Sequence, residues 1–383
     1  NRTERYGEKL ATPDVSVADL IGDIDPIKAA NLRLNFADER VIHYGIIPKS
    51  NRGIFVINEI PDLQARIQVS LFNILEEGDI QIRGFKLRLP LDILFVFTAN
   101  PEDYTNRGSI VTPLKDRIES QILTHYPKTI ETALAITEQE ADIHEEQKAK
   151  VQISDLVKRI IEQVSFEARN NEYVDKKSGV SARLTIAAIE NAVSAAERRS
   201  IMNNEKTTQV WINDLVGIIP SITGKIELVY EGEQEGPFQV SMNLLDKALR
   251  SQFIKYFPNP ETIKKRKSTS KESPSKEEEN PYKAVIRWFD SGNAIDLFLN
   301  VTDKNKTLQL YKIEGLHSIV KKFYPNGSES ENALLMEFVL HGLAAYSLIS
   351  KKVIENKIEF KDLMGSMVNL GTASYSEGEE FDS

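Results

Sequence analysis

One stretch limits the possible folds more than any other: the apolar run from Ile54 to Ile57, which ends on the polar pair Asn58 and Glu59. Four consecutive apolar residues predict a strand that is buried on both faces, as in a parallel sheet. A strand that stops on a polar pair delivers that pair to the carboxyl edge of the sheet, where open α/β folds bind ligands. For this stretch alone, a core strand ending in a plain surface turn is the alternative.

A second apolar strand follows further along the chain. Residues 93–98 read Ile-Leu-Phe-Val-Phe-Thr, and the run stops close to Asn100. Between the two runs, apolar residues at helical spacing predict a helix over 62–76. Alternating residues around Gly84 predict a β-hairpin over 79–89. Two buried strands joined through a helix and a hairpin predict an α/β core.

Composition excludes several classes of protein. The formal charge of −9 over 383 residues argues against a general nucleic-acid binder and no specific nucleic-acid partner is expected, although local basic patches stay open. The chain has no cysteine, which excludes thiolate metal sites and fits a reducing compartment. No apolar run approaches the length of a membrane span, so we expect no membrane contact and a cytoplasmic location. The five scattered histidines show no zinc-site spacing.

From about residue 129 the apolar residues follow helical spacing. Ser154 is a candidate N-cap for one of these predicted helices. A basic cluster at 264–267 could contact an anionic partner, although solvated linker charge is the simpler interpretation. The predicted organisation is an α/β core over 1–128, a helical lid over 129–225, a connecting helix region over 226–260, a disordered charged linker over 261–280, a small mainly helical C-terminal domain over 281–370 and an acidic tail over 371–383.

Four polar residues, in this order, suit phosphoryl transfer from ATP. That reaction needs an oriented water and positive charge on the transition state. Glu59 is placed to polarise a water, and Asn100 could hold it through its side-chain amide. Arg117 could reach an adjacent subunit, and Arg183, which opens a helix, could reach the γ-phosphate. An exposed arginine is usually only a surface residue, but the ordered set favours ATP hydrolysis.

The same segments resemble AAA+ ATPases of the magnesium-chelatase/MoxR branch, over about residues 15 to 225. Residues 51–63, Asn-Arg-Gly-Ile-Phe-Val-Ile-Asn-Glu-Ile-Pro-Asp-Leu, resemble the branch's Walker B segment. The other matching motifs are the hairpin of 75–90, the sensor-1 strand of 97–101, the arginine-finger segment of 113–117 and the Gly-x-Ser-x-Arg sensor 2 of 179–183. The resemblance implies an AAA+ P-loop-type parallel sheet followed by a helical lid.

The resemblance also implies roles for these residues. It makes Glu59 the catalytic glutamate, Asn100 sensor 1, Arg183 sensor 2 and Arg117 a trans-acting finger supported by Asp116. ATP and Mg²⁺ are the implied cofactors; the metal positions are Asn58 and Glu59, and the nucleotide-binding positions are Asn58, Glu59, Asp116 and Arg183. The family forms rings, usually hexameric, that remodel partners in a chaperone-like way, often with a von Willebrand factor A-type domain protein.

Two departures from the family pattern matter. No Gly-x-x-x-x-Gly-Lys-Ser/Thr phosphate loop occurs in residues 1–383. The one Gly-Lys pair in the sequence, Gly224-Lys225, is followed by Ile226 and not by serine or threonine. The family order puts that loop before residue 1, so an N-terminal truncation is favoured and this stretch alone is expected to be inactive. Secondly, Asn58 replaces the usual Walker B aspartate. Weakened magnesium binding and a tolerated variant both stay open.

Two other functions remain in view. One is a degenerate, non-hydrolysing AAA+ scaffold, in which Asn58 marks the loss of activity. The other is an enhancer-binding transcriptional activator of the AAA+ type, which ranks lower. The sequence shows neither that family's Gly-Ala-Phe-Thr-Gly-Ala loop nor a terminal helix-turn-helix pattern.

Overall fold

The structure is a computed structural model, and it describes residues 5–82, 85, 88–100, 109–261 and 280–363. The predicted turn at Gly84, nearly all of the predicted linker and the whole acidic tail lie outside these residues. Contacts divide the chain into two units, the first ending at His125 and the second beginning at Tyr126.

The first unit contains seven strands and six short helices among its described residues. The strands are β1 (Tyr6–Leu10), β2 (Gly22–Ile24), β3 (Ile42–Tyr44), β4 (Gly53–Asn58), β5 (Asp79–Gln81), β6 (Arg88–Pro90) and β7 (Ile93–Phe97). The helices are α1 (Val17–Leu20), α2 (Pro26–Leu32), α3 (Ile46–Lys49), α4 (Ala65–Ser70), α5 (Phe72–Glu76) and α6 (Thr112–Asp116), with 3-10 turns at Glu39–Val41 and Ile60–Asp62.

The two predicted core strands are neighbours in one parallel sheet of order β1-β4-β7. Gly53 of β4 is in register with Ile93 of β7, and Ile57 with Phe97. Because the strands are parallel and in register, both carboxyl ends reach the same edge of the sheet. The predicted hairpin is also present, with β5 and β6 antiparallel.

The sheet differs from the prediction in its burial, because β4 and β7 are not buried on both faces. Phe55 and Ile57 are buried, but Ile54 is 41% exposed and Leu94 is 62% exposed. Side chains alternate between the two faces of a strand, and among the described residues the helices cover only the face that carries Phe55.

The residues before β4 explain why the strand begins where it does. The Asn51 side-chain oxygen accepts a hydrogen bond from the backbone N–H of Asp92, at 2.8 Å. Arg52 adopts a positive φ of 61° and donates its N–H to the Asp92 carbonyl. A Cβ on Gly53 would lie 2.7 Å from the Arg5 carbonyl oxygen, so only glycine fits there. The Asn-Arg-Gly sequence therefore sets the register of the sheet.

The helix predicted over 62–76 is interrupted. Pro61 and Asp62 belong to the 3-10 turn, α4 starts only at Ala65, and Leu71 separates α4 from α5. Leu71 is fully buried, as is Ile67 one turn earlier. The apolar spacing was therefore a correct guide to the buried face but not to the continuity of the helix.

The second unit is mainly helical. Its helices are α7 (Ile130–Glu140), α8 (Glu145–Lys150), α9 (Asp155–Arg169), α10 (Arg183–Met202), α11 (Ile219–Thr223), α12 (Tyr230–Glu235), α13 (Pro237–Tyr256), α14 (Lys283–Asp290), α15 (Asp303–Tyr311), α16 (Leu316–Phe323) and α17 (Glu329–Ala345). Its strands are β8 (Val151–Gln152), β9 (Thr208–Gln209), β10 (Ile295–Phe298), β11 (Ser350–Ile354) and β12 (Lys357–Lys361), and a 3-10 helix covers Ile212–Ile218. Ser154 caps α9 as expected, because its hydroxyl accepts the Val157 N–H.

The described residues of the predicted C-terminal domain do not have a core of their own. Phe338 and Val339 of α17 belong to the same continuous hydrophobic core as Ile160 of α9 and Phe253 of α13. Phe253 contacts Phe338 at 5.6 Å between ring centroids. The prediction of a small separate domain over 281–370 therefore differs from the structure. Sequence patterning shows that a helix has an apolar face, but not which helix covers that face.

A buried polar network reinforces this shared core. Arg199 of α10 is 1% exposed and pairs with Asp214 at 3.0 Å and with Asp303 of α15 at 2.5 Å. The Trp211 indole N–H also donates to Asp303, at 2.7 Å. Burial alone would lower the pKa of Arg199, but the two carboxylates hold it above its ordinary value. One charged group thus links a lid helix to the C-terminal region.

Among the described residues, no helix combines the length and the apolar character that a membrane crossing would require.

Candidate functional site

The polar ends of β4 and β7 are joined by direct hydrogen bonds. The Glu59 N–H donates to the Thr98 hydroxyl at 3.1 Å, and that hydroxyl donates to the Asn58 side-chain oxygen at 3.3 Å. The Ile60 N–H donates to the Thr98 carbonyl at 3.0 Å. The structure therefore brings Asn58 and Glu59 to the end of the strand that leads to Asn100, as the sequence predicted.

Glu59 has an unusual backbone conformation. Its φ of 57° and ψ of 50° lie in the left-handed region, which costs a residue other than glycine on the order of 1–3 kcal/mol. This conformation ends β4 and starts the 3-10 turn at Ile60–Asp62. Strain of this kind persists only where surrounding contacts fix it, and here Thr98 supplies two of them. The Glu59 side chain is half-buried.

Asn100 lies two residues after Thr98, on an exposed part of the same edge. Asn100 has an interaction of its own within the structure. The residue that connects the two strand ends is Thr98, whose role the sequence analysis missed. A hydroxyl residue directly after the last apolar residue of a strand was the available signal.

Arg117 follows α6 and is held within its own unit. Its Nε donates to Glu76 Oε2 at 2.8 Å, and a terminal nitrogen donates to the Pro113 carbonyl at 2.8 Å. The guanidinium also lies 4.7 Å from the centroid of the Phe72 ring. About a quarter of the side chain is exposed. Asp116, the predicted supporting residue, is exposed.

Gln68 fixes the segment that leads to Arg117, a role that the sequence did not reveal. This buried side chain donates to the Leu63 carbonyl at 2.8 Å and to the Ser109 carbonyl at 3.1 Å, and it accepts the Val111 N–H at 2.9 Å. α6 begins at the next residue, Thr112. Gln68 thus connects α4 to the start of the helix before the predicted finger.

Arg183 belongs to the second unit, where it is the first residue of α10 and is exposed. Its backbone N–H donates to the Ser181 hydroxyl at 3.2 Å. The preceding segment is fixed on the other side by a bridge between Val180 and Ile226. The predicted sensor-2 segment therefore opens a helix as expected.

The oxygen atoms at the strand ends suit magnesium only in company with phosphate. Among the described residues no group of three or more His, Cys, Asp or Glu side chains could hold a metal ion. Asn58 and Glu59 offer one amide oxygen and one carboxylate, and the Asn58 oxygen already accepts from Thr98. Mg²⁺ is commonly held by one or two protein oxygens together with substrate phosphates and water. The residues present fit that mode and not a dedicated metal cage.

Comparison with known protein families gives one match. Residues 35–122 match the family described as the sigma-54 interaction domain. The matched range contains Asn58, Glu59, Asn100 and Arg117, and Arg183 lies outside it. The sigma-54 interaction domain is itself an AAA+ domain, so the match supports the AAA+ core and is silent about the lid.

Several solved structures are also similar. A putative ATPase from Cytophaga hutchinsonii is 20% identical, with 63% of this chain and 76% of that chain covered and a TM-score of 0.27. The complex of the BchI and BchD subunits of magnesium chelatase, from cryo-EM, is 15% identical, with 60% of this chain and 72% of that chain covered and a TM-score of 0.29. NtrX from Brucella abortus in complex with ADP is 12% identical, with 90% of this chain and 58% of that chain covered and a TM-score of 0.33. Scores this low carry no argument about the arrangement of this chain.

The family match and the residues at the strand ends lead to one conclusion. Residues 35–122 include Glu59, Asn100 and Arg117, and the strands β4 and β7 within this range pair in a parallel sheet. Within residues 35–122 the chain is similar to the sigma-54 interaction domain, and its parallel sheet is consistent with an α/β core of the AAA+ type.

Proposed function

We propose that this chain supplies the hydrolytic residues of an AAA+ motor of the magnesium-chelatase/MoxR type, with ATP and Mg²⁺ as cofactors. The observation that carries the proposal is the hydrogen-bonded junction of the strand ends, in which Thr98 holds both Asn58 and Glu59. A carboxylate and an amide fixed at one edge of a parallel sheet suit the positioning of a water for attack on a phosphate.

In this proposal each side chain has one task. The Glu59 carboxylate accepts a hydrogen bond from the attacking water, and the Asn100 amide orients that water. Thr98 keeps the backbone of Glu59 in its strained conformation, and this contact pre-organises the carboxylate. Bound with the phosphates near Asn58 and Glu59, Mg²⁺ would neutralise the charge that develops on the phosphate oxygens.

No glycine-rich phosphate loop occurs in residues 1–383, so the proposal does not assign the cradling of the phosphates to this stretch. Backbone N–H groups and a lysine of such a loop normally bind the β- and γ-phosphates. The proposal therefore assigns hydrolysis to Glu59 and Asn100, and assigns no nucleotide-binding strength to this stretch alone.

Arg117 and Arg183 supply the positive charge in the proposed ring, which we expect to be hexameric. Arg117 would leave Glu76 and serve the nucleotide of a neighbouring subunit, and Arg183 would serve the γ-phosphate from the lid. An arginine finger contributes about 10³–10⁵ to turnover. The magnesium-chelatase complex pairs BchI with BchD, and by analogy a von Willebrand factor A-type protein is the proposed partner of a remodelling activity.

The experiment is ATP turnover of the protein expressed from its complete reading frame, compared with its Glu59→Gln variant. Turnover should fall at least 100-fold in the variant, because the carboxylate is replaced by a neutral group of the same shape. Glu77→Gln is the matched control, since Glu77 is exposed on the same unit and lies outside the strand ends. Unchanged turnover in Glu59→Gln would overturn the proposal, and undetectable turnover in the wild type would favour the scaffold alternative.

The role of Arg117 in a neighbour's site has its own test. Glu59→Gln and Arg117→Ala proteins should each be inactive, yet a mixture should recover part of the wild-type turnover. In a mixed ring, an Arg117→Ala subunit keeps its Glu59 and can receive Arg117 from a Glu59→Gln neighbour. A mixture that stays inactive, although gel filtration shows mixed rings, would exclude action between subunits.

A further inference from the structure

The C-terminal region resembles a winged helix that has one additional helix. After α14 the chain runs through β10, α15, α16 and α17 and then into the β11–β12 pair. The sheet order is β10-β12-β11, all antiparallel, and only Glu355 and Asn356 separate β11 from β12. A winged helix has a helix, a strand, two helices and a closing two-stranded hairpin, in that order along the chain. Its first strand lies beside its last strand in the sheet. α17 is then an additional helix inserted before the hairpin.

The connection between α15 and α16 is a tight turn that packs on α14. Only residues 312–315 separate the two helices, and Gly315 has a positive φ of 81°. A Cβ on Gly315 would lie 2.4 Å from the Cβ of Ala284 in α14. A short turn with a glycine between two helices, closed by a third, is the architecture of a helix-turn-helix, which the sequence pattern of this region did not reveal.

The second helix of this motif has one apolar and one polar face. Leu316, Ile319 and Val320 of α16 are buried. Ser318 and Lys322 are exposed and His317 and Lys321 half-exposed, at positions that fall on the opposite face. α17, in contrast, is buried from Asn332 to Leu343 and presents no comparable surface.

The net charge of the segment that contains α15 and α16 is opposite in sign to that of the whole chain. Over residues 303–324, Asp303 and Lys306 belong to the interior ion pairs. The remaining charged residues are Lys304, Lys312, Lys321 and Lys322 against Glu314, which is four positive and one negative, or a net +3. The chain as a whole carries −9. Lys321 donates to the Pro325 carbonyl at 3.3 Å, which leaves two of its three ammonium hydrogens for other partners.

We propose that α16 binds double-stranded DNA, lying in the major groove as the second helix of a helix-turn-helix. Lys321 and Lys322 would contact phosphates, and His317 and Ser318, near the start of the helix, would face base edges. The expectation that no specific nucleic acid binds rested on the net charge of the whole chain, and the local charge of this surface is what changes it. This inference does not depend on the proposed ATPase activity.

The test is fluorescence anisotropy of a labelled mixed-sequence DNA duplex titrated with the full chain at about 50 mM salt, where phosphate contacts are strong. Lys321→Glu/Lys322→Glu should weaken binding by about tenfold or more and reduce the slope of log K against log salt by roughly two. The matched control is Lys247→Glu/Lys255→Glu on α13, which changes the net charge equally at two exposed lysines. The control should change affinity less than about twofold.

A second comparison addresses the other basic stretch of the chain. Replacing Lys264, Lys265, Arg266 and Lys267 by glutamine should leave most of the duplex affinity intact. Undetectable duplex binding by the full chain, equal weakening by the control pair, or loss of binding only on replacement of 264–267 would each overturn the proposal. Tighter binding to a single-stranded RNA of the same length would also overturn it, because a helix-turn-helix reads the DNA major groove.

Discussion

At the scale of single residues, Arg199 carries the clearest stability prediction. It is buried and satisfies the carboxylates of Asp214 and Asp303 together. Arg199→Met would leave the buried Asp214 and the half-buried Asp303 without their cation, and breaking a buried ion pair in this way costs about 3–5 kcal/mol. Chemical denaturation of the second unit should show this loss, while Arg198→Met, at the exposed neighbouring position, should change the unfolding free energy by less than about 0.5 kcal/mol. Similar losses in both variants would mean that the network does not stabilise the fold.

A second residue-scale prediction concerns pH. His341 is buried, and burial holds its pKa well below the ordinary value. Its Nε2 lies 2.8 Å from the Asn213 side-chain oxygen, so the neutral ring donates there. The unfolded chain therefore binds a proton below about pH 6.5 that the folded chain does not. The contribution of His341 to the unfolding free energy is fully present above that pH. It decreases on acidification, by at most about 1.36 kcal/mol per pH unit.

The measurement is the unfolding free energy between pH 7 and pH 5 for the wild type and for His341→Gln. Burial raises the pKa of the nearby Glu337, which contributes a slope of the opposite sign in both proteins. The difference between the two proteins isolates the histidine, and the variant should lose less stability on acidification. Parallel curves would show that His341 is not neutral in the fold.

The residues of the site divide into those the sequence could predict and those it could not. The positions of Glu59 and Asn100 just after two strands could be predicted, because apolar runs that stop on polar residues mark strand ends. The contact between Arg117 and Glu76, and the central place of Thr98, could not. They depend on how α5, α6 and two strands meet in space, and local patterning contains no information on that.

At the scale of elements, the packing of α17 on α13 depends on a glycine. A Cβ on Gly342 would lie 2.1 Å from the Phe253 ring, which is itself fully buried. Gly342→Ala should therefore destabilise the second unit by about 1–3 kcal/mol through overpacking. Thermal unfolding followed by circular dichroism measures this. Gly217→Ala, where the nearest atom is 3.1 Å away, should cost less. An equal or smaller effect at Gly342 would contradict the close packing.

Some features of the helices and strands could be predicted from the sequence, and others could not. The strands, the hairpin and the capped helix α9 were predictable from periodicity and end signals. The exposed outer face of β4 and β7 and the interruption at Leu71 were not. An all-apolar run looks the same whether one face or both are covered, and a helical apolar stripe continues unchanged through a break in the helix.

At the scale of the molecule, the shared core predicts that the lid and the C-terminal region unfold together. The chain has two tryptophans, Trp211 near the lid helices and Trp288 in α14. Trp288→Phe leaves Trp211 as reporter, and Trp211→Phe leaves Trp288. Phe338→Ala, made in each background, should lower both fluorescence midpoints, because a large buried ring in the common core costs about 3–5 kcal/mol. A shift in the Trp288 signal alone would show two independent domains.

The central claim is that Glu59 and Asn100 act on one water at the junction of two strands. The most direct measurement is a double-mutant cycle in ATP turnover, with Glu59→Gln, Asn100→Ala and both together in the protein expressed from its complete reading frame. Residues that act as one unit are strongly non-additive. The double variant should therefore be scarcely slower than Glu59→Gln alone. Effects that simply multiply, or an Asn100→Ala variant with wild-type turnover, would contradict the shared site.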